Sequence, residues 1–174
     1  VPDDQISDPS PFLLFAARPS GGFALARNGM LSTLGDQGLQ SVKLADHPGD
    51  TGIYGMAASR KGGLWLIAEG QVRRWQAGRW VETRGQTPWN ATMAATAVTE
   101  LHNGALAVGT LGAGLYLLFE GRPPIHFDRT NGLPHDRIRA IYEDPEGNVW
   151  VGTGSGGLVA LREACFTTLR LPDR

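Results

Sequence analysis

Cysteine is almost missing from this chain: Cys165 is the single one in 174 residues. An internal disulfide and a cysteine-rich metal site are both excluded, and Cys165 reads as a small buried hydrophobe in a strand. Long apolar runs are missing as well, since none approaches the ~20 residues that a membrane helix needs. The opening residues, VPDDQISDPS, lack the basic and apolar regions of a signal peptide. That leaves either a cytoplasmic protein or a leader or anchor outside this sequence. Neither sign of charge dominates. Sixteen basic and seventeen acidic residues leave a net charge of −1, and their scatter excludes an electrostatic footprint for nucleic acid or anionic lipid.

Catalytic signatures are equally scarce. Gly152-Thr153-Gly154-Ser155-Gly156-Gly157 is glycine-dense, but it leads into a strand and not a helix N-terminus, so it is no phosphate cradle. His47, His102, His126 and His135 show no metal-ligand spacing, and His102, beside Asn103-Gly104, reads as solvated. Ser155 lacks the order of a nucleophile elbow. Glu143 and Asp144 are strand-end neighbours whose side chains diverge, so they read as turn formers. Asn90-Ala91-Thr92 fits a glycosylation acceptor, a weak three-residue signal.

What the chain has in quantity is punctuation: 24 glycines and 11 prolines beside a hydrophobic fraction of 41%. Short β-type runs lie between the turns, and one pattern recurs. Gly147-Asn148-Val149-Trp150-Val151-Gly152-Thr153 lines up with Gly104-Ala105-Leu106-Ala107-Val108-Gly109-Thr110. It also lines up with Gly62-Gly63-Leu64-Trp65-Leu66-Ile67-Ala68 and Gly21-Gly22-Phe23-Ala24-Leu25-Ala26-Arg27. The first glycines fall at 21, 62, 104 and 147, intervals of 41, 42 and 43 residues. One strand-rich unit per ~42 residues, with no helical run between, is the pattern of propeller blades. Helical repeats of that length would need ten or more residues at 3.6 spacing, which are absent.

The expected fold is therefore all-β: a β-propeller of four blades, each of four antiparallel strands, over residues 12–45, 53–84, 95–128 and 138–170 of a single domain, 1–174. The first repeat opens at Phe12–Ala17, and the fourth closes at Cys165–Leu169. Connections between repeats, Ala45–Gly52, Arg84–Met93 and Asp128–Arg137, are longer and more polar than the turns within them. Loops on a rigid scaffold are where binding groups are placed. They hold Asp46, His47, Trp89, Asn90, His135, Asp136 and Arg137. Trp65, Trp75, Trp80 and Trp150 lie in strands and read as core, which leaves Trp89 as the tryptophan placed near a ligand. The candidate ligand-binding residues are Trp89, Asn90, His135 and Arg137. No residue is assigned to catalysis, to a metal or to a cofactor.

Gly132-Leu133-Pro134, Ile138 to Asp144, Gly147 to Thr153 and Gly156-Gly157-Leu158 together resemble the two-component regulator propeller repeats. The third repeat keeps Gly109-Thr110 and Gly114-Leu115, with Ala107 where that family prefers tryptophan; the second keeps Trp65. The resemblance implies a non-catalytic, extracytoplasmic or periplasmic sensor domain of a bacterial histidine kinase, hybrid regulator or diguanylate cyclase. It implies a small-molecule or carbohydrate signal and an output signalling domain outside this chain. A propeller lyase or hydrolase and an interaction scaffold are the rival readings.

Counting blades raises a question of closure. Seven blades would need about 290 residues. Four blades close alone only around a tight axis, and Phe12, Phe15, Tyr54, Met56, Ile141 and Tyr142 on the innermost strands look bulky for one. The expectation is a segment of a seven- or eight-bladed ring, completed by further blades or by a second copy of the chain.

Overall fold

The computed structural model describes residues 13–17, 21–27, 29–44 and 52–162. Phe12, Asp46, His47, Cys165 and the strand expected over Cys165–Leu169 lie outside the described residues. Short runs rich in apolar residues between tight turns produce fifteen strands among the described residues. They are β1 (Leu14–Ala17), β2 (Phe23–Arg27), β3 (Met30–Gly35), β4 (Gly38–Val42), β5 (Ile53–Ala58), β6 (Leu64–Ala68), β7 (Gln71–Gln76) and β8 (Arg79–Gln86). After them come β9 (Ala95–Glu100), β10 (Leu106–Thr110), β11 (Leu115–Leu118), β12 (Ile125–Phe127), β13 (Ile138–Glu143), β14 (Val149–Thr153) and β15 (Leu158–Leu161). Each repeat folds into its own antiparallel sheet: β1 to β4, β5 to β8, β9 to β12, and β13 to β15. The degenerate first repeat is a blade like the others. β8 runs two residues past the expected close of the second repeat at 84, with register shifts against β7 that let the longer strand follow its partner.

The innermost strands pack in series, β1 on β5, β5 on β9 and β9 on β13. Between them the blades bury three cores. Ala16, Ala24, Ala26 and Leu31 of the first blade meet Met56, Leu64 and Leu66 of the second. Trp65, Ile67 and Val72 of the second meet Leu106, Val108 and Tyr116 of the third. Ala107 and Leu115 of the third meet Ile138, Val149 and Val151 of the fourth. Innermost-strand side chains such as Met56 and Ile141 thus pack between blades. Their bulk does not crowd the axis, because a strand's side chains alternate between sheet faces while its backbone edge fronts the axis. Openness shows in the packing instead: β1 has no substantial contact with β13.

Glycine makes the turns possible at one repeated position. Gly63 has φ of +80°, and a Cβ there would collide with the Trp75 carbonyl oxygen. Gly22 repeats the arrangement against the Leu34 carbonyl oxygen.

Two carboxylates fasten blade to blade. Glu100, at the end of β9, accepts from the Arg60 amide at 2.8 Å and from the Trp65 indole at 3.0 Å, both in the second blade. Glu143, at the end of β13, accepts from the His102 amide at 2.8 Å and meets the His102 Nδ1 at 2.6 Å. His102 is exposed, as expected, and is also held by the next blade. Only the tertiary approach of two blades shows that. Arg84 adds a third tie, lying over the Trp65 ring and beside Glu82 and Glu120, with its Nη2 donating to the Gly104 carbonyl. Its Nε and Nη1 make no hydrogen bond, so toward Glu120 it acts as a charge.

Burial pushes the Glu100 carboxyl up, but hydrogen bonds from Ser59, the Arg60 amide and Trp65, with the Lys61 charge, bring it below its ordinary value. A lowered carboxyl contributes stability above its unfolded value and loses it as pH falls through the folded one. Wild-type stability should therefore decline as pH drops below about 4.5, and Glu100→Gln should flatten that decline in urea titrations run across pH. In the same assay Gly63→Ala should cost more than about 2 kcal/mol, whereas Gly78→Ala, in open space at φ +84°, should cost about 1 kcal/mol.

Candidate functional site

The interblade connections and the turns between second and third strands share one end of the blades. The 87–94 connection bonds to both flanking turns: the Thr87 amide to the Gly70 carbonyl at 2.8 Å and the Leu111 amide to the Ala94 carbonyl at 3.1 Å. The Asp128–Arg137 connection does likewise, taking the Gly114 amide on the Asp136 carbonyl at 2.8 Å and the Gly154 amide on the Arg137 carbonyl at 2.7 Å. Asp128 closes this loop on itself, accepting from the Thr130 amide and hydroxyl. Those bonds, the Thr130 hydroxyl first, hold the Asp128 carboxyl below its ordinary value. Leu133 anchors the loop in the third core. Despite its polarity, this segment is tied down at both ends and in its middle.

Trp89 is buried at 7% exposure in the second core. Its ring lies 4.9 Å from that of Tyr116, which stacks on His126 at 4.2 Å. Burial and the Asp128 charge push the Tyr116 hydroxyl up. The row Trp89–Tyr116–His126 carries aromatic surface from the core toward the outer strand, where His126 Nε2 donates to the Ala113 carbonyl at 2.8 Å. Tyr116 and His126 are a directly opposed pair on β11 and β12, a signal readable only once register is known. Asn90 sits exposed at the turn beside Trp89, and its Oδ1 accepts from the Thr92 amide and hydroxyl.

His135 and Arg137 come together. The Arg137 amide donates to His135 Nδ1 at 3.0 Å, which leaves the neutral ring's proton on Nε2. Arg137 is exposed and pairs with no carboxylate among the described residues. Among these residues no hydrogen bond or ring contact joins His135 and Arg137 to Trp89 and Asn90. The connections supply two separate groups.

A third group enters from the innermost strands, and sequence reading missed it. β5, β9 and β13 each carry a bulge at their start, leaving Tyr54, Thr96 and Arg139 as the extra residues. A bulge re-aims a side chain that would otherwise pack on a sheet face. The Thr96 hydroxyl accordingly reaches the neighbouring innermost strand, donating to the Ile138 carbonyl at 2.6 Å. Tyr54 and Arg139 hold the same register in their blades. The signal was present as the triplets Ile53-Tyr54-Gly55, Ala95-Thr96-Ala97 and Ile138-Arg139-Ala140, each large or polar between an apolar residue and a small one. Arg139 is exposed and lies two residues from Arg137, so this end of β13 offers two guanidinium groups and an imidazole N–H.

At the opposite end, a cleft of about 460 Å³ opens between the third and fourth blades. Leu101, Phe119, Phe127 and Val149 wall it, and the His102–Glu143 pair stands at its mouth. Its walls are continuous with the third core, so it is the outward splay of two wedge-packed sheets. Among the described residues no three His, Cys, Asp or Glu side chains gather as metal ligands.

Residues 132–155 match the family described as two component regulator propeller. That span begins in the Asp128–Arg137 connection and takes in His135, Arg137 and Arg139. Among solved structures, the chain is similar to the extracellular domain of a hybrid two component system from B. thetaiotaomicron. The identity is 19% and the TM-score 0.66, over 91% of this chain and 22% of that one. A second such domain from B. thetaiotaomicron is 17% identical, TM-score 0.58, over 90% and 22%. Virginiamycin B lyase from Staphylococcus aureus is 15% identical, TM-score 0.62, over 88% and 57%. At these identities the likeness establishes the propeller fold alone. The chain spans about a fifth of the extracellular domains it matches. The search of curated proteins gave no match.

Trp89→Ala should lower stability by about 3–5 kcal/mol in chemical denaturation. Asn90→Ala, at an exposed turn, should cost less than about 1 kcal/mol.

Proposed function

Because residues 132–155 match the two component regulator propeller family and the described residues have the propeller fold, we propose that this is part of an extracytoplasmic sensor of a bacterial signalling protein. It binds a small polar ligand and passes the event to an output domain outside this chain. The observation that carries the ligand is the start of β13, where His135 and Arg137 stand on a loop pinned by its own hydrogen bonds and Arg139 on the bulge that follows. A loop whose backbone is already tied down need not be ordered on binding, which removes part of the entropic cost. Guanidinium groups and an imidazole N–H recognise carboxylates and vicinal hydroxyls, so acidic or neutral carbohydrates fit the donor set. The extracellular domains among the similar structures support the placement outside the cytoplasm.

The enzyme reading draws on the likeness to virginiamycin B lyase and on His126 Nδ1, which stands 3.9 Å from Asp128 Oδ2. A histidine beside a carboxylate can serve as a general base. Here, however, its other nitrogen is bonded to the Ala113 carbonyl, and stacking on Tyr116 fixes the ring.

Thermal-shift screening against neutral sugars, uronic acids and simple carboxylates tests the sensor reading. A ligand present at about 100 times its Kd stabilises by about 2.7 kcal/mol, a shift of several degrees. The double variant Arg137→Ala/Arg139→Ala should abolish the shift while its ligand-free melting temperature stays within a degree or two of wild type. A shift that survives in this variant would move the site elsewhere. Turnover of any panel compound, lost on His126→Ala, would favour the enzyme.

A further inference from the structure

The glycine-dense turn between β14 and β15 contains two glycines that its backbone does not require. Neither Gly154 nor Gly156 has a positive φ, so the local conformation would accept alanine at both. Their neighbours would not. A Cβ on Gly154 would stand 2.9 Å from Arg137 Cδ, 3.1 Å from its Cβ and 3.2 Å from its Cγ. A Cβ on Gly156 would stand 2.6 Å from Pro134 Cβ and 2.7 Å from its Cγ. The turn is thus a floor on which the end of the Asp128–Arg137 connection lies. The Gly154 amide fastens it there, donating to the Arg137 carbonyl at 2.7 Å.

The third blade builds the same turn with the bulk reversed. Its Thr110 amide and hydroxyl donate to the Gly114 carbonyl at 3.0 and 2.9 Å, and Thr110 Oγ1 accepts from the Ala113 amide at 2.8 Å. In the fourth blade the Thr153 amide and hydroxyl donate to the Gly157 carbonyl at 2.9 and 3.0 Å, and Thr153 Oγ1 accepts from the Gly156 amide at 3.1 Å. The bond to the connection repeats as well, from Leu111 to Ala94 in one blade and from Gly154 to Arg137 in the other. One turn brings leucine against alanine; the other brings glycine against arginine. With the frame unchanged, the residue after the threonine decides whether the connection can end in a long side chain.

A long side chain in open solvent samples many rotamers and must give them up to hold a ligand. At Arg137 the stem, Cβ through Cδ, already rests against Gly154. The guanidinium at its tip is a planar fork that matches a carboxylate with two parallel hydrogen bonds.

We propose that Gly154 is a positioning residue of the ligand site, seating the Arg137 stem so that its guanidinium is presented to a carboxylate of the ligand. This rests on the reading of that loop as the ligand site. It adds that the glycine turn of the fourth blade, as well as the connection, sets the geometry there.

One arm of the test needs no ligand. In ¹⁵N relaxation of the folded chain, the Arg137 Nε–H, identified by its loss in Arg137→Ala, should be clearly more restricted than that of the exposed Arg122. Gly154→Ala, with its fold checked by circular dichroism, should bring it to the mobility of Arg122. Gly112→Ala, in the matching turn where a Cβ meets nothing within 4 Å, should leave it unchanged. The other arm is calorimetric titration with glucuronate. There Gly154→Ala should raise the Kd roughly threefold to tenfold, the factor for one side chain left to be immobilised on binding, and Gly112→Ala should not alter it. A wild-type Arg137 Nε–H as mobile as that of Arg122 would overturn the proposal, whether or not any variant folds. So would a Gly154→Ala chain that frees the side chain yet binds glucuronate as wild type does. A wild-type chain that holds Arg137 still but binds no glucuronate would overturn the reading of the loop as a carboxylate site, and with it the role of Gly154 in binding, while leaving the seat itself in place.

Discussion

Each blade has two apolar faces and can hide neither by itself, and this requirement organises the molecule. A sheet of short strands with one solvated face would alternate apolar and polar residues. β6 and β10 instead are buried along their whole length. Covering a Leu, Ile or Trp side chain is worth about 1.5–3 kcal/mol, and each junction covers several. The junctions are therefore carried mainly by burial. Small residues on one side receive large ones from the other, as Ala16, Ala24 and Ala26 receive Leu64 and Leu66.

Polar bonds at the junctions serve a different end. The hydrogen bonds of Glu100 and Glu143 are charge-assisted, and the net worth of such a bond is about 1.5–3 kcal/mol, comparable with one buried side chain. Their distinctive contribution is direction. Apolar faces tolerate sliding, whereas a carboxylate set between a turn amide and an indole fixes how far one blade advances along the next.

The same division places the chemistry. Faces of the blades are consumed by packing, so groups free to meet a ligand must leave the sheets through connections or bulges. The Asp128–Arg137 loop is one route, and the bulges at Tyr54, Thr96 and Arg139 are the other. Both converge at the start of β13, where a pinned loop hands over to a re-aimed strand. Trp89 lies in a connection yet faces inward. The connection is short, and its tryptophan is the side chain that fills the gap beside Tyr116.

The glycine intervals, the strand alternation and the turn clusters stood in the sequence, because each depends on residues a few positions apart. A turn needs positive φ at Gly62 and Gly63, and a strand needs Val149-Trp150-Val151, whatever lies elsewhere. The all-β class and the repeat follow from such local demands, and so does the choice of connections as the place to look for His135 and Arg137. Only the tertiary structure decided which face of each strand meets which neighbour. The bond between His102 and Glu143 spans 41 positions. The burial of Trp89 against Tyr116 and the turning of Arg139 off its sheet by a one-residue bulge belong with it. Local pattern fixes where a side chain stands along its strand. What it touches depends on the stacking of blades about forty residues apart, and the strands' own alternation does not encode that.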